Sequence, residues 1–209
     1  MKQEDYLHSL RSKPSEQIER IEAYAKENGV PIMEPSGIEF LMQLIRLHQP
    51  SHILEIGTAI GYSAIRMLEA SAKSAIVTIE RDPTRYSEAV SNLRQLGVEN
   101  SIQILHGDAL ELEKEVAEKG PYDLLFIDAA KGKYEEFFHM YSPMLTERGV
   151  IISDNVLFKG YVADDELASP RMAKIAGKIR KFNEWLVNHP DYYTTIVPVG
   201  DGVAISVKK

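Results

Sequence analysis

The chain has 209 residues, of which 44% are hydrophobic and 26% charged, and it contains no cysteine. That length suits one α/β domain with a sizeable core, and the missing cysteines exclude disulfides, thiolate zinc sites and cysteine nucleophiles. A net charge of -7 argues against a dedicated duplex-binding protein, which needs basic character to neutralise phosphates, but it leaves room for a local basic face.

No apolar run reaches the length of a membrane span, and Met1-Lys2-Gln3-Glu4-Asp5 lacks the apolar segment of a signal peptide. The expectation is a cytoplasmic protein with no membrane partner. Residues 2–28 read as helical, broken at Pro14-Ser15 and closed by Asn28-Gly29. Pro35 opens a helix to about His48, with Ile38, Leu41, Met42, Ile45 and Leu47 as its apolar side. From Pro50 the pattern alternates. Strands are expected at 53–56, 75–80, 102–106, 122–128 and 150–153, with helices at 61–71, 83–96, 110–119 and 134–145 between them. Such βαβ alternation predicts a parallel sheet with right-handed crossovers. The regularity stops at Val156, where 156–169 reads as an irregular insertion on the substrate side, followed by a long helix over 170–188. Two last runs, 192–199 and 203–207, are separated only by Gly200-Asp201-Gly202. A connection that short allows an antiparallel hairpin and no parallel crossover. The whole chain therefore reads as a single α/β domain. Its sheet is mixed and mostly parallel, with a C-terminal antiparallel hairpin, helices on both faces and N-terminal helices over 1–48.

Two strands end on acidic residues, as Phe126-Ile127-Asp128-Ala129-Ala130-Lys131 and Ile151-Ile152-Ser153-Asp154-Asn155. Ligands in open α/β sheets sit at the carboxyl ends of strands. If these strands are neighbours, Asp128, Asp154 and Asn155 converge, and their oxygens suit a hard cation such as Mg²⁺ or Ca²⁺. Alone, Asp154-Asn155 also reads as a turn pair. Upstream, Glu55-Ile56-Gly57-Thr58-Ala59-Ile60-Gly61 leads from the first parallel strand into a helix. The spacing is neither the dinucleotide fingerprint nor a P-loop. Its glycines let backbone approach a ligand, or simply make a tight turn. Glu80 ends the next strand, where a carboxylate can accept from both ribose hydroxyls. Asp108, after the third strand, could accept from an adenine amino group or cap the next helix. Their occurrence at successive strand ends points to a ribonucleoside cofactor.

These residues resemble the class I S-adenosylmethionine-dependent methyltransferases, and more narrowly the metal-dependent O-methyltransferases that include the catechol and caffeoyl-CoA enzymes. The resemblance rests on Glu55 to Ser63, on Asp128-Ala129-Ala130-Lys131 and on Asp154-Asn155, and it implies a Rossmann-like fold. It also implies that Met33, Glu55, Gly57, Tyr62 and Ser63 line the methionine part of S-adenosyl-L-methionine. Glu80 would hold the ribose, and Asp108 with Ala109 the adenine. Asp128, Asp154 and Asn155 would bind Mg²⁺ or another divalent cation, with Asp128 and Lys131 catalytic and Lys131 the general base. Asp201 matches a position near the acceptor pocket. The family often carries Asp where this chain has Ala130. A homodimer is implied as well.

The helix over 170–188 carries a basic stripe of Arg171, Lys174, Lys178 and Lys181 at helical spacing, with Lys131, Lys133 and Lys159 expected nearby. Such a stripe is either a solvated helix face or a grip on a phosphate backbone. Within the family the chain is most similar to the bacterial tRNA 5-hydroxyuridine methyltransferases. The resemblance implies tRNA as the acceptor, methylated at the wobble uridine. A small catechol or phenolic acceptor is the alternative. A non-catalytic nucleoside-binding module fits less well, because binding alone needs neither the acidic set nor Lys131.

Overall fold

The computed structural model describes residues 6, 7, 9–164, 166 and 168–209. The first of the two expected N-terminal helices falls partly on residues outside these. The second is α1, Glu16–Asn28, started by the Ser15 hydroxyl, which accepts from the Ile18 amide, and ended by left-handed Gly29. Helix α2 spans Pro35–His48 and buries Ile38, Leu41, Met42 and Ile45. Leu47 was expected on that side but is 74% exposed. It stands two residues past Ile45, about 200° round the helix from the buried stripe.

The alternating region forms β1 (His52–Ile56), α3 (Tyr62–Ala70), β2 (Ala75–Glu80), α4 (Pro83–Leu96), β3 (Ile102–His106), α5 (Glu113–Ala117), β4 (Tyr122–Ile127), α6 (Tyr134–Tyr141) and β5 (Leu145–Ser153). Helix α7 (Pro170–Val187) and the hairpin β6 (Tyr192–Val197) and β7 (Val203–Lys208) complete the chain. The sheet has seven strands in the order β3-β2-β1-β4-β5-β7-β6. The first five are parallel, and β7 runs antiparallel to both β5 and β6.

Side chains of the central strands alternate between two cores. Leu54, Ile56, Leu125, Ile127 and Ile151 pack with α6 and α7. Ile53, Leu124, Phe126 and Ile152 pack with α1, α2 and α3. Burial on both faces explains why these strands read as unbroken apolar runs.

Two expected helices are shorter than the pattern implied. Residues 110–112 are not helical, because Asp108 holds the Leu110 amide with its side chain and the Glu111 amide with its carbonyl. Helix α6 stops at Tyr141, and a 3-10 turn, Ser142–Met144, contains Pro143, which has no N–H to continue a helix. Strand β5 then begins at Leu145, before the expected Val150. Its pairing with β4 shifts between Leu145↔Tyr122 and Val150↔Leu124, so 146–149 bulge outward. Among the described residues no helix is long and apolar enough to cross a membrane.

Candidate active site

Strands β2 and β3 lie on one side of β1, and β4 and β5 on the other. The chain therefore reverses its winding between β1 and β4, and a crevice opens at their carboxyl ends. Here it is a cavity of ≈ 630 Å³, lined among others by Met33, Gly57, Tyr62, Ser63, Glu80, Asp108, Ala109, Asp128, Lys131, Asn155, Phe158 and Asp201.

The turn after β1 comes close to the end of β4. Gly57 has φ +104, and a Cβ there would overlap the Asp128 carbonyl oxygen and stand 2.9 Å from its carbon. Gly61, with φ 87, is the N-cap of α3. Glu80 is buried, and its two carboxylate oxygens accept from the Ala59 and Asp82 amides, each at 2.8 Å. The carboxylate thus points into the cavity with lone pairs left for a ribose. Asp108 spends one oxygen on the Leu110 amide at 3.0 Å, and its other oxygen stands 3.8 Å from Arg81. Asp108 does not cap the next helix, which starts at Glu113 behind Leu112; it closes the turn before it and lines the cavity. Ala109 lines the same wall and accepts from the Tyr141 hydroxyl through its carbonyl.

Glu55 differs from expectation. It is fully buried behind the cavity wall, accepting from the Ser63 and Thr78 hydroxyls, and is not among the lining residues. Burial pushes its carboxyl up to about 7, against those hydrogen bonds and with help from the Asp128 and Glu80 charges. Its role in this structure is to fix Ser63. Tyr62 presents its ring to the cavity while its hydroxyl donates to Glu22 of α1 at 2.7 Å, and Met33 is buried beside it.

At the other end of the cavity, Ile127 of β4 pairs with Ser153 of β5. The residues that follow, Asp128 and Asp154, are therefore side by side. The Asp128 amide donates to Ile56 and the Asp154 amide to Ile127, each at 3.0 Å. Asp154 is 3% exposed, its carbonyl is held by the buried Tyr134 hydroxyl at 3.0 Å, and one carboxylate oxygen accepts from Asn155 at 3.0 Å. Asn155 takes a left-handed φ of 57, a conformation asparagine tolerates, and its Oδ1 accepts from the Lys131 ammonium at 2.6 Å. Lys131 begins the 3-10 turn Lys131–Lys133.

Burial raises the Asp154 carboxyl to about 8, with the Asp128 charge adding to the effect. Burial also raises Asp128, opposed by Lys131 and reinforced by Asp201. Two desolvated carboxylates this close, with no ion pair between either and a basic side chain among the described residues, are neutralised either by a proton or by a bound cation. The donor set of two carboxylates and one amide oxygen has the hard-oxygen chemistry that Mg²⁺ takes. Among the described residues no group of three or more His, Cys, Asp or Glu side chains could hold a metal ion, so a set here would have to include the Asn155 oxygen, which in this structure accepts from Lys131.

The sequence reading missed Arg81, Arg85, Phe137 and Phe158, all of which line the cavity. Arg85 could have been found, since Asp82-Pro83 marks the first turn of α4 at the mouth of the site. Phe158 lies in the irregular insertion, where no periodicity points to it.

The family model for O-methyltransferase matches residues 8–209. A catechol O-methyltransferase of Niastella koreensis is 33% identical over 193 residues, covering 88% of this chain and 86% of that protein. A crystal structure from Staphylococcus aureus superposes with a TM-score of 0.92 at 38% identity, over 98% of each chain. The Streptomyces achromogenes O-methyltransferase TomG, involved in tomaymycin synthesis and solved in complex with SAM, has a TM-score of 0.84 at 28% identity, over 100% of this chain and 99% of its own. A crevice built from one glycine turn and two acidic strand ends, on a chain matched over nearly its full length, places this protein in the O-methyltransferase family.

Proposed function

We propose that this protein transfers the methyl group of S-adenosylmethionine to one hydroxyl of a small catechol-type acceptor, using a divalent cation held by Asp128, Asp154 and Asn155. The reading is carried by Asp128 and Asp154-Asn155 following register-paired residues of adjacent strands, directly beside Lys131. The catechol-acting relative and the SAM-bound neighbour support it.

S-adenosylmethionine supplies an electrophilic methyl on a sulfonium, and a bound dication would lower the pKa of the acceptor hydroxyls and fix their orientation. The residues of the chain do the rest. Glu80 accepts from the ribose, and the close approach at Gly57 lets the cofactor lie across the end of β4. Met33 and the Tyr62 ring exclude water around the methionine part. Asn155 would hold Lys131 beside the acceptor, where its Nζ, as the neutral amine, would take the proton that the acceptor hydroxyl loses when it is methylated in line with the departing sulfur. In-line alignment of this kind is worth on the order of 7–11 kcal/mol in favourable cases. Lys131→Met should lower kcat on a catechol on the order of 10²–10⁴-fold, with binding of S-adenosylhomocysteine by calorimetry unchanged. An unaltered kcat would remove Lys131 from the chemistry.

The expected tRNA acceptor has no counterpart among the relatives described above, and the small-molecule alternative fits them better. One observation keeps RNA as a second reading. Arg171, Lys174, Lys178 and Lys181 are all exposed on α7 and make no ion pair among the described residues. Lys178 also packs over the turn that bears Lys131, since a Cβ on Gly132 would stand 2.9 Å from its Nζ. The stripe thus runs into the Lys131, Lys133 and Lys159 side chains that line the cavity. Substituting Arg171, Lys174 and Lys178 together by alanine separates the readings. Catechol turnover should stay within about twofold and respond little to salt, whereas turnover of a tRNA bearing 5-hydroxyuridine would collapse and fall steeply with added salt in the parent. Activity of the parent on tRNA alone would overturn the small-acceptor reading.

A further inference from the structure

The turn between β6 and β7 touches both walls of the cavity. On the acceptor side it captures four successive backbone amides. Val156 donates to the Gly202 carbonyl at 3.0 Å, and Leu157 and Phe158 donate to the Asp201 carbonyl at 2.8 and 3.1 Å. Lys159 donates to the Asp201 carboxylate at 3.2 Å. The segment so captured is strained, because Phe158, Lys159 and Gly160 all have left-handed φ, at 42, 57 and 81. Consecutive non-glycine residues in that region persist only where surrounding contacts hold them. Gly202 permits the approach: its φ is +88, and a Cβ there would overlap the Leu157 side chain. What the capture sets in place is Phe158, 7% exposed, whose ring lies 5.9 Å from the Lys131 Nζ. On the cofactor side, a Cβ on Gly200 would stand 3.4 Å from the Gly37 nitrogen, at the start of α2 and just after Met33 and Glu34 of the cavity wall.

We infer that Asp201 is a positioning residue for the acceptor: it clips the 156–160 segment so that Phe158 forms a fixed aromatic wall beside Lys131. The inference deepens the O-methyltransferase reading and rests on it for the identity of the acceptor pocket. It differs from a direct electrostatic role for Asp201, because the clip needs a hydrogen-bond acceptor at Oδ1 and no charge. Asp201→Ala removes that acceptor, while Asp201→Asn keeps it and removes the charge.

Three measurements on the full-length protein test this. By amide hydrogen exchange without any ligand, Asp201→Ala should speed exchange at Lys159 by at least about tenfold, with Ala204 and Ile205 of β7 unchanged as the control for folding. In turnover of a catechol, Asp201→Ala should raise the acceptor KM at least about fivefold, leaving the dissociation constant for S-adenosylhomocysteine within about twofold. Asp201→Asn should restore both readouts to near the parent values. Unchanged exchange at Lys159 in Asp201→Ala overturns the clip. So does equal impairment of the two variants, which assigns the effect to charge. If the parent turns over no catechol, the O-methyltransferase reading fails on its acceptor, and the exchange experiment still decides whether the clip exists.

Discussion

Asp154→Ala should lower kcat/KM for a catechol by about a thousandfold, roughly 4 kcal/mol of transition-state stabilisation, while S-adenosylhomocysteine still binds. The reason lies in where Asp154 sits. Its carboxylate accepts from Asn155, its carbonyl accepts from Tyr134 and its amide donates to Ile127, and none of these contacts reaches Glu80. Removing its carboxylate deletes one of two charges available to a dication and leaves the cofactor's contacts alone. A chelator should reduce the parent to a similar level. A readout without catalysis is available as well. With the folded carboxyl near 8 and an ordinary value near 3.8 in the unfolded chain, the unfolded state loses a proton that the folded state keeps between those pH values. This residue therefore weakens the cation-free protein progressively as pH rises from about 4 to 8. Asp154→Ala without cation should melt no lower than the parent at pH 8, and Mg²⁺ should raise the melting temperature of the parent only. Full activity of the variant in the presence of chelator would end the metal reading.

Gly57→Ala should disable the protein from the opposite end. The new methyl would overlap the Asp128 carbonyl and strain a backbone at φ +104. No flexible side chain can yield there, so the β1–α3 turn must lift away from β4. Overpacking and φ strain together cost about 3 kcal/mol, equivalent to a fall in Tm of roughly 6–12 °C for a chain this size. The lifted turn also misplaces Ala59, whose amide holds Glu80. Affinity for S-adenosylhomocysteine should drop by at least about a hundredfold, since both the close approach and the ribose carboxylate are disturbed. Parent-like binding with parent-like Tm would show that the turn is far more pliable than its packing implies.

The elements most legible in the sequence were those with a local physical signature. Buried parallel strands announced themselves as β-branched runs, and Ser15, Gly29 and Pro35 marked helix ends through their own backbone preferences. Asp128 and Asp154-Asn155 stood out because a carboxylate closing an apolar strand has few structural reasons to be there, and the structure puts them after paired ends of neighbouring strands. Other features depend on distant partners. The outward bulge of β5 is set by its shifted pairing with β4, which no local pattern records. Glu55 reads like a ligand from its place in the glycine turn, yet Ser63 and Thr78 hold it behind the wall. Phe158 owes its place to a turn more than forty residues further on.

Strand β7 enters the sheet between β5 and β6, although it is the last strand made. A chain that ended at Val199 would keep Gly57, Glu80, Asp128 and Asp154 but would lose Asp201 from the cavity wall and the strand that seats β6. Residues 200–208 therefore supply both the pairing partner of β6 and one side of the crevice.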